Sequence, residues 1–294
     1  MRMNTRIAGL LAGFHGLLIQ GFFVGAASAQ DGIDGLEIVG KPIAGGVNFQ
    51  FAATELARDI HWLDWGLVIV CTVITLFVVG LLAIVAIRHN HRVNPVPAKF
   101  THNTPIEIAW TIVPIVILVF IGAFSLPVLF KQQEIPTADV TIKATGYQWY
   151  WGYEYPDSEF AFDSFMLKRD ELEEYGYTQG EYLLATNAAM VVPVNKTIVV
   201  QVTGADVIHS WTIPAFGVKQ DGIPGRLAEL WFKAEREGIY FGQCSELCGK
   251  DHAFMPITVK VVSQEAYDAW LQRSIEEYAG VPQAVTGVQV AAAE

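Results

Sequence analysis

Cys244-Ser-Glu-Leu-Cys248-Gly-Lys-Asp-His252-Ala-Phe-Met255 is the stretch on which the reading of this chain turns. Two thiols, an imidazole and a thioether fall within twelve residues. The sequence on either side, Gly238-Ile-Tyr-Phe and Pro256-Ile-Thr-Val-Lys-Val-Val, reads as strand, so the run is a loop near the end of a β-domain. After residue 130 the only other histidine is His209, in Asp206-Val-Ile-His209-Ser-Trp211.

Zinc is satisfied by two Cys and two His, but methionine is not a usual zinc ligand. Thioether, thiolate and imidazole together favour copper, and a mononuclear blue-copper site takes two His, one Cys and a weak Met. Here one Cys is left over, and two thiolates can bridge two metal ions. The donor set therefore points beyond one copper to a dinuclear cluster. A disulfide between Cys244 and Cys248 is the plain alternative in an oxidising compartment. It leaves His209, His252 and Met255 without a task.

Outward from the run, period-two segments recur from about residue 139. They include Val140-Thr-Ile-Lys-Ala-Thr, Ala228-Glu-Leu-Trp-Phe and a long stretch from Met190 to Thr203. Gly, Pro and Asn turns separate them, which suggests a sandwich or barrel. A closing helix is expected from about Gln264 to Tyr278, followed by an Ala/Val/Gln tail at 281–294.

Further back, residues 65–87 and 108–130 are two runs of 23 residues without a charge. At about 1.5 Å per residue each spans roughly 35 Å, enough to cross a hydrocarbon core of about 30 Å. Pro114 and Pro127 are tolerated more readily in a membrane helix than in a soluble one. The loop between them, 88–107, carries Arg88, Arg92 and Lys99 and no acid before Glu107, which places it in the cytoplasm. Segments 30–64 and 131–280 then lie outside. Residues 1–29 read as a secretory signal: Arg2 and Arg6, an uncharged run over 7–24, and Ala27-Ser28-Ala29 before a mature start at Gln30. An uncleaved first helix is the alternative, weakened by Gly9, Gly13, Gly16, Gly21 and Gly25.

Composition agrees with a membrane chain bearing an acidic outer domain. Of 294 residues 52% are hydrophobic and 17% charged, which excludes intrinsic disorder. A net charge of −11 argues against nucleic acid as a partner. All of it belongs to residues 131–294, since 1–130 carry 7 basic and 7 acidic residues.

Pattern, order and setting resemble subunit II of haem–copper cytochrome c oxidase, in its bacterial form. The resemblance covers nearly the whole chain and rests on the Cys-x3-Cys-x3-His-x2-Met run, the upstream His209 and the aromatic Gln148-Trp149-Tyr150-Trp151. It implies a membrane-anchored all-β protein, with a two-helix transmembrane hairpin before a cupredoxin-like Greek-key β-barrel or sandwich. It also implies the dinuclear copper centre CuA. Cys244 and Cys248 would bridge both coppers, His209 and Met255 would complete one, and His252 with the backbone carbonyl of Glu246 the other. The Glu246 carboxylate would further bind Mg²⁺ or Mn²⁺ at the subunit I interface.

The same resemblance makes Trp149 the point where electrons enter from cytochrome c. Read from the residues alone, Tyr147-Gln-Trp149-Tyr-Trp151-Gly-Tyr153-Glu-Tyr155 puts five aromatics on one strand face and Tyr150 on the other, as a packed core strand would. Glu154, Asp157, Glu159, Asp163 and Asp206 lie closest in sequence to these segments and suit docking of a basic redox partner, though acidic surfaces also serve solubility. Glu107 is implied to be the mouth of a proton channel into subunit I; as a plain carboxylate it would favour the helix N-terminus. Cys71 reads as a packing residue in the first membrane helix.

The implied whole is the electron-accepting subunit of a proton-pumping terminal oxidase in the bacterial inner membrane. Its partners are subunit I, which alone holds haem, subunit III, cytochrome c and the lipid bilayer. No catalytic oxygen site lies in this chain, and it is not active alone. Two rivals are weighed against this. A quinol-oxidase relative would lack the copper ligands. A membrane-anchored copper chaperone would be thioredoxin-like, with alternating helices and strands.

Overall fold

The computed structural model describes Ile33 and residues 35–278. The expected signal peptide at 1–29 and the tail at 281–294 lie outside the described residues.

Helix α1 (Glu55–Arg88) begins well before the apolar run because Thr54 caps it. The Thr54 hydroxyl accepts from the Ala57 N–H at 2.9 Å and donates to the Phe216 carbonyl at 2.8 Å, so one buried side chain both starts the helix and fastens it to the outer domain. Helix α2 (Thr104–Gln133) starts at Asn103, whose side chain accepts from the Ile106 N–H, and continues through Pro114 and Pro127. At about 1.5 Å per residue the two helices reach roughly 45–50 Å, longer than a bilayer core. Their apolar side chains are exposed along most of that length. They form a two-pass membrane anchor, and the larger C-terminal domain stands on the outer side.

That domain contains two sheets and a hairpin. Strands β1 (Ile38–Gly40), β10 (Gly238–Gln243), β11 (Pro256–Val262) and β5 (Met190–Pro193) form one sheet in the order β1-β10-β11-β5. The second has the order β4-β3-β2-β6-β9, from β2 (Val140–Tyr147), β3 (Tyr150–Tyr155), β4 (Phe160–Ser164), β6 (Ile198–Gly204) and β9 (Ala228–Phe232). Strands β7 (His209–Ile213) and β8 (Val218–Gly222) pair with each other. Parallel and antiparallel pairs mix: β1 runs parallel to β10 and β2 to β6. Among the described residues no closed barrel forms. The sheets enclose one apolar core that includes Ile142, Trp151, Tyr153, Val200, Trp211, Tyr240 and Val259. Inside it the buried Tyr155 hydroxyl of β3 donates to the Val191 carbonyl of β5 and accepts the Val191 N–H, tying the two sheets together. Helix α3 (Gln264–Tyr278) lays Tyr267 and Trp270 against this core.

Two sequence expectations change. The stretch from Met190 to Thr203 is not one strand but β5 and β6, in different sheets, parted by a turn in which Asn195 takes a left-handed φ of 59°. The aromatic run is not one strand either. It turns back at Gln148–Trp149, so Tyr147 of β2 and Tyr150 of β3 are cross-strand partners, stacked 4.7 Å apart on one face. The turn carries no Gly or Asn, the usual hairpin signal, which is why alternation read straight through it. Trp151, Tyr153 and Tyr155 do form the packed core face. The segment before α1 is part of the outer domain, since it supplies β1.

Candidate metal centre

The loop between β10 and β11 gathers the donors. The Cys244 and Cys248 sulfurs lie 3.8 Å apart, both cysteines free and buried, so the disulfide alternative does not hold here. The His209 Nδ1 approaches the Cys244 sulfur at 3.9 Å, and the Glu246 carbonyl oxygen lies 3.3 Å from it. The Cys248 sulfur has the His252 Nδ1 and the Met255 sulfur each at 3.5 Å. Metal–donor bonds of about 2.0–2.3 Å at tetrahedral angles set neighbouring donors roughly 3.3–3.8 Å apart, so the spacing is close to that of ligands around a metal. The thioether in the set fits copper better than zinc. His209, Cys244 and Cys248 alone place their ligand atoms within 4.8 Å of one another in a buried group.

Local structure explains why the sequence can hold this arrangement. His209 begins β7, fully buried, and its ring packs edge-on against Trp151 at 6.0 Å. Gly146 of β2 lies beneath it: a Cβ there would stand 2.6 Å from His209 Cγ. The Ser245 N–H donates to the Ser210 carbonyl at 3.0 Å, pinning the thiol loop to β7. Gly242 allows β10 to approach β7, for a Cβ there would meet the Thr212 carbonyl oxygen at 1.8 Å.

Electrostatics separate the two thiols. Burial opposes charge on Cys244, but hydrogen bonding with His209 and the backbone outweighs it and brings the thiol down to about 7. Cys248, buried and facing Cys244, is pushed up to about 12. Burial likewise opposes charge on His209 and Asp206, yet the hydrogen bonds they make raise the imidazole and lower the carboxyl. One of those bonds joins His209 Nε2 to Asp206 Oδ1 at 2.9 Å.

The other expected site residues scatter more widely. Trp149 sits half-buried at the β2–β3 turn, and its indole N–H donates to the Cys248 carbonyl at 3.3 Å. Lys250 lies over the indole, its nitrogen 5.5 Å from the ring centre. Asp206 is beside the donors, holding the Gln148 N–H at 2.8 Å as well as His209. Asp163 is exposed and pairs in register with Gly152 near the same end. Glu154 pairs with Lys143 at 3.0 Å. Asp157 and Glu159 lie at the opposite end of the β3–β4 hairpin, roughly 20 Å along the strand. Glu246 directs its backbone inward while its side chain is exposed. Glu107 lies in the first turn of α2, at the far end of that helix, and accepts the Asn103 N–H at 2.9 Å. Sequence reasoning passed over Gly146, whose space His209 needs, and Gln148, whose side-chain amide donates to the Cys248 carbonyl at 2.8 Å. Only their adjacency to the aromatic run marked them.

Two family models match this chain. Cytochrome C oxidase subunit II, periplasmic domain, covers residues 140–262, and the transmembrane domain of the same subunit covers 42–128. Cytochrome c oxidase subunit 2 of Cereibacter sphaeroides is 60% identical over 288 residues, covering 93% of each chain. The probable cytochrome c oxidase subunit 2 of Rickettsia bellii is 45% identical over 232 residues, 79% of this chain and 85% of that one. Among solved structures, the periplasmic domain of subunit II of cytochrome oxidase of Bradyrhizobium japonicum is 56% identical, covers 50% of this chain and 100% of its own, and has a TM-score of 0.46.

Proposed function

The chain belongs to the cytochrome c oxidase subunit II family, and from that premise we propose that it accepts electrons from cytochrome c at a dinuclear copper centre and passes them to haem in subunit I. One observation carries the reading: two thiols, two imidazoles and a thioether converge with the Glu246 carbonyl where the β10–β11 loop meets the start of β7. Cys244 and Cys248 would hold both coppers, with His209 and Met255 completing one and His252 with the Glu246 carbonyl the other. The distances agree with this pairing, in which each outer pair sets one ligand against Cys244 and one against Cys248. When bound, the two coppers supply one-electron storage shared across the thiolates.

The residues of the chain hold that group still and connect it outward. Asp206, Trp151 and Gly146 leave the His209 ring no alternative position. Trp149, partly open to solvent and bonded to the Cys248 carbonyl, is where electrons enter. Asp163 and Asp206 line the docking side near it, with Glu154, Asp157 and Glu159 extending the negative surface that attracts a basic cytochrome c. The two sheets with their ligand loop between the last two strands support a cupredoxin-like Greek-key sandwich over about 131–280. The exposed Glu246 carboxylate is free to share Mg²⁺ or Mn²⁺ with subunit I. Glu107, on the cytoplasmic side, is the mouth of a proton channel into that subunit, and subunit III completes the assembly.

Metal analysis of the purified full-length chain and electron paramagnetic resonance of the intact oxidase test the centre. Two coppers per chain sharing one electron are expected. One copper, with a four-line hyperfine pattern, refutes the dinuclear reading. A fragment cut at residue 131 is a poorer sample, because it lacks β1 and the Thr54 contact.

A further inference from the structure

We infer that Gln148 is a positioning residue for electron intake, holding the Trp149 indole on the Cys248 carbonyl; this rests on the reading of Trp149 given above. Both side chains donate to the same oxygen, the Gln148 amide at 2.8 Å and the indole at 3.3 Å. A carbonyl has two lone pairs and can serve both. The indole bond is the longer and weaker one, so the amide supplies most of the constraint on the turn.

The turn is also fastened from behind. The Gln148 backbone N–H donates to Asp206 Oδ2 at 2.8 Å, and the other Asp206 oxygen holds His209 Nε2 at 2.9 Å. One residue thus connects Cys248 through its side chain and His209, by way of Asp206, through its backbone. Gly249, at φ +129°, closes the remaining side: a Cβ there would lie 2.9 Å from Trp149 Cζ2 and 3.1 Å from Gln148 Nε2. The contact surface is therefore built to fit these two side chains against the carbonyl. A glutamine serving only solubility would leave its amide in water. Without that amide the indole keeps a single long hydrogen bond and can swing away, which slows transfer after docking but leaves docking itself alone.

The test uses the assembled oxidase and the full-length chain. Gln148→Met keeps side-chain length and removes the donor; Gln148→Glu keeps shape and aims an acceptor at a carbonyl. Both are expected to lower the rate of electron intake at saturating cytochrome c at least twofold, with copper spectrum and salt dependence retained and KM not raised. If Gln148 were only a docking contact, Gln148→Glu would keep or increase the rate towards a basic partner, and the inference would fall. In a Trp149→Phe background, Gln148→Met is expected to cost no further rate; additive losses overturn the inference.

The second readout needs no copper and no turnover. In the metal-free chain in detergent micelles, nuclear magnetic resonance of ¹⁵N-labelled indoles identifies Trp149 by its loss in Trp149→Phe. Gln148→Met is expected to speed solvent exchange of that N–H by roughly 2- to 13-fold, the population shift controlled by a hydrogen bond of ordinary net strength. Unchanged exchange and chemical shift overturn the inference whatever the activity. A Trp149→Phe oxidase with full electron intake would instead overturn the reading of Trp149, while the exchange measurement would still decide whether Gln148 positions it.

Discussion

Gly146→Ala should remove His209 from the metal centre without touching a ligand. The added Cβ would lie 2.6 Å from His209 Cγ, 2.7 Å from Cδ2 and 2.8 Å from Cβ. Ordinary carbon contacts begin near 3.5 Å, so ring or strand must retreat by about 1 Å. The ring has nowhere to go: it is fully buried, Trp151 packs on it, and Asp206 holds its Nε2. Overpacking of this kind costs about 1–3 kcal/mol, which lowers the Tm of the metal-free chain by a few degrees. Metal sites tolerate only about 0.2 Å in ligand distance, so the larger effect is on copper. Metal analysis should show substoichiometric copper, and the resonance spectrum should lose the wild-type pattern. Gly152→Ala, one strand over, is the control. There the Cβ meets only the Tyr147 ring edge at 3.0 Å and the Asp163 carboxylate at 3.3 Å, near the surface where side chains can move. Full copper with an unchanged spectrum in Gly146→Ala would refute the argument that the backbone of β2 fixes the ligand ring.

The remaining predictions concern ligands, surface and anchor. Cys244→Ser or Cys248→Ser should abolish the dinuclear centre, whereas Met255→Leu should retain more metal but unbalance the two coppers; near-normal electron intake in a Cys248→Ser oxidase free of wild-type protein would sink the assignment. Neutralising Asp163 should weaken cytochrome c binding and flatten its salt dependence more than neutralising Asp157 and Glu159 together, because exposed charges act over roughly one Debye length of about 8–10 Å. Equal effects in binding titrations at several salt concentrations would place the docking face elsewhere. Thr54→Ala should destabilise the full chain by about 1–2 kcal/mol, through loss of a helix cap and of the bond to Phe216. An unchanged denaturation midpoint in detergent would show that the cap does not contribute.

Much of this was legible in the sequence for identifiable reasons. The membrane helices are visible because a bilayer demands length and apolarity, both of which a linear reading counts. Strands β9 and β11 and helix α3 are bounded by sharp turn or cap residues, so their limits could be read closely. The donor run was readable because its ligands are local, four of them within twelve residues. What escaped depends on chain reversal and on contacts distant in sequence. The Gln148–Trp149 turn lacks the residues that announce a hairpin, so five aromatics seemed to share a face. Strand β1 is only three residues long and pairs with a partner about two hundred residues away. Asp206 read as a surface acid because its hydrogen bonds to Gln148 and His209 depend on two segments meeting in space.

The spanning helices also determine where the donors stand. Helix α1 does not end at the membrane surface but extends into the outer domain, where the Ala53 N–H donates to the Ala215 carbonyl and the Glu235 N–H to the Ala53 carbonyl. Gly217, at φ +69°, lets helix and domain meet backbone to backbone, for a Cβ there would stand 2.8 Å from Ala57 Cα. On the other side Lys131, at the end of α2, pairs with Glu55 at 2.7 Å and Asp59 at 2.6 Å, one turn apart on α1. The Trp231 indole of β9 donates to the Lys131 carbonyl at 3.1 Å. Exposed ion pairs contribute little stability singly, but three sets of contacts meet at this junction. They remove the freedom a flexible tether would leave. Strand β9 continues the sheet that contains β2, and β2 carries the glycine beneath His209. A rigid path therefore runs from the bilayer to a ligand ring, and a centre that must hand electrons to a membrane-embedded partner is held at a fixed height and orientation above it.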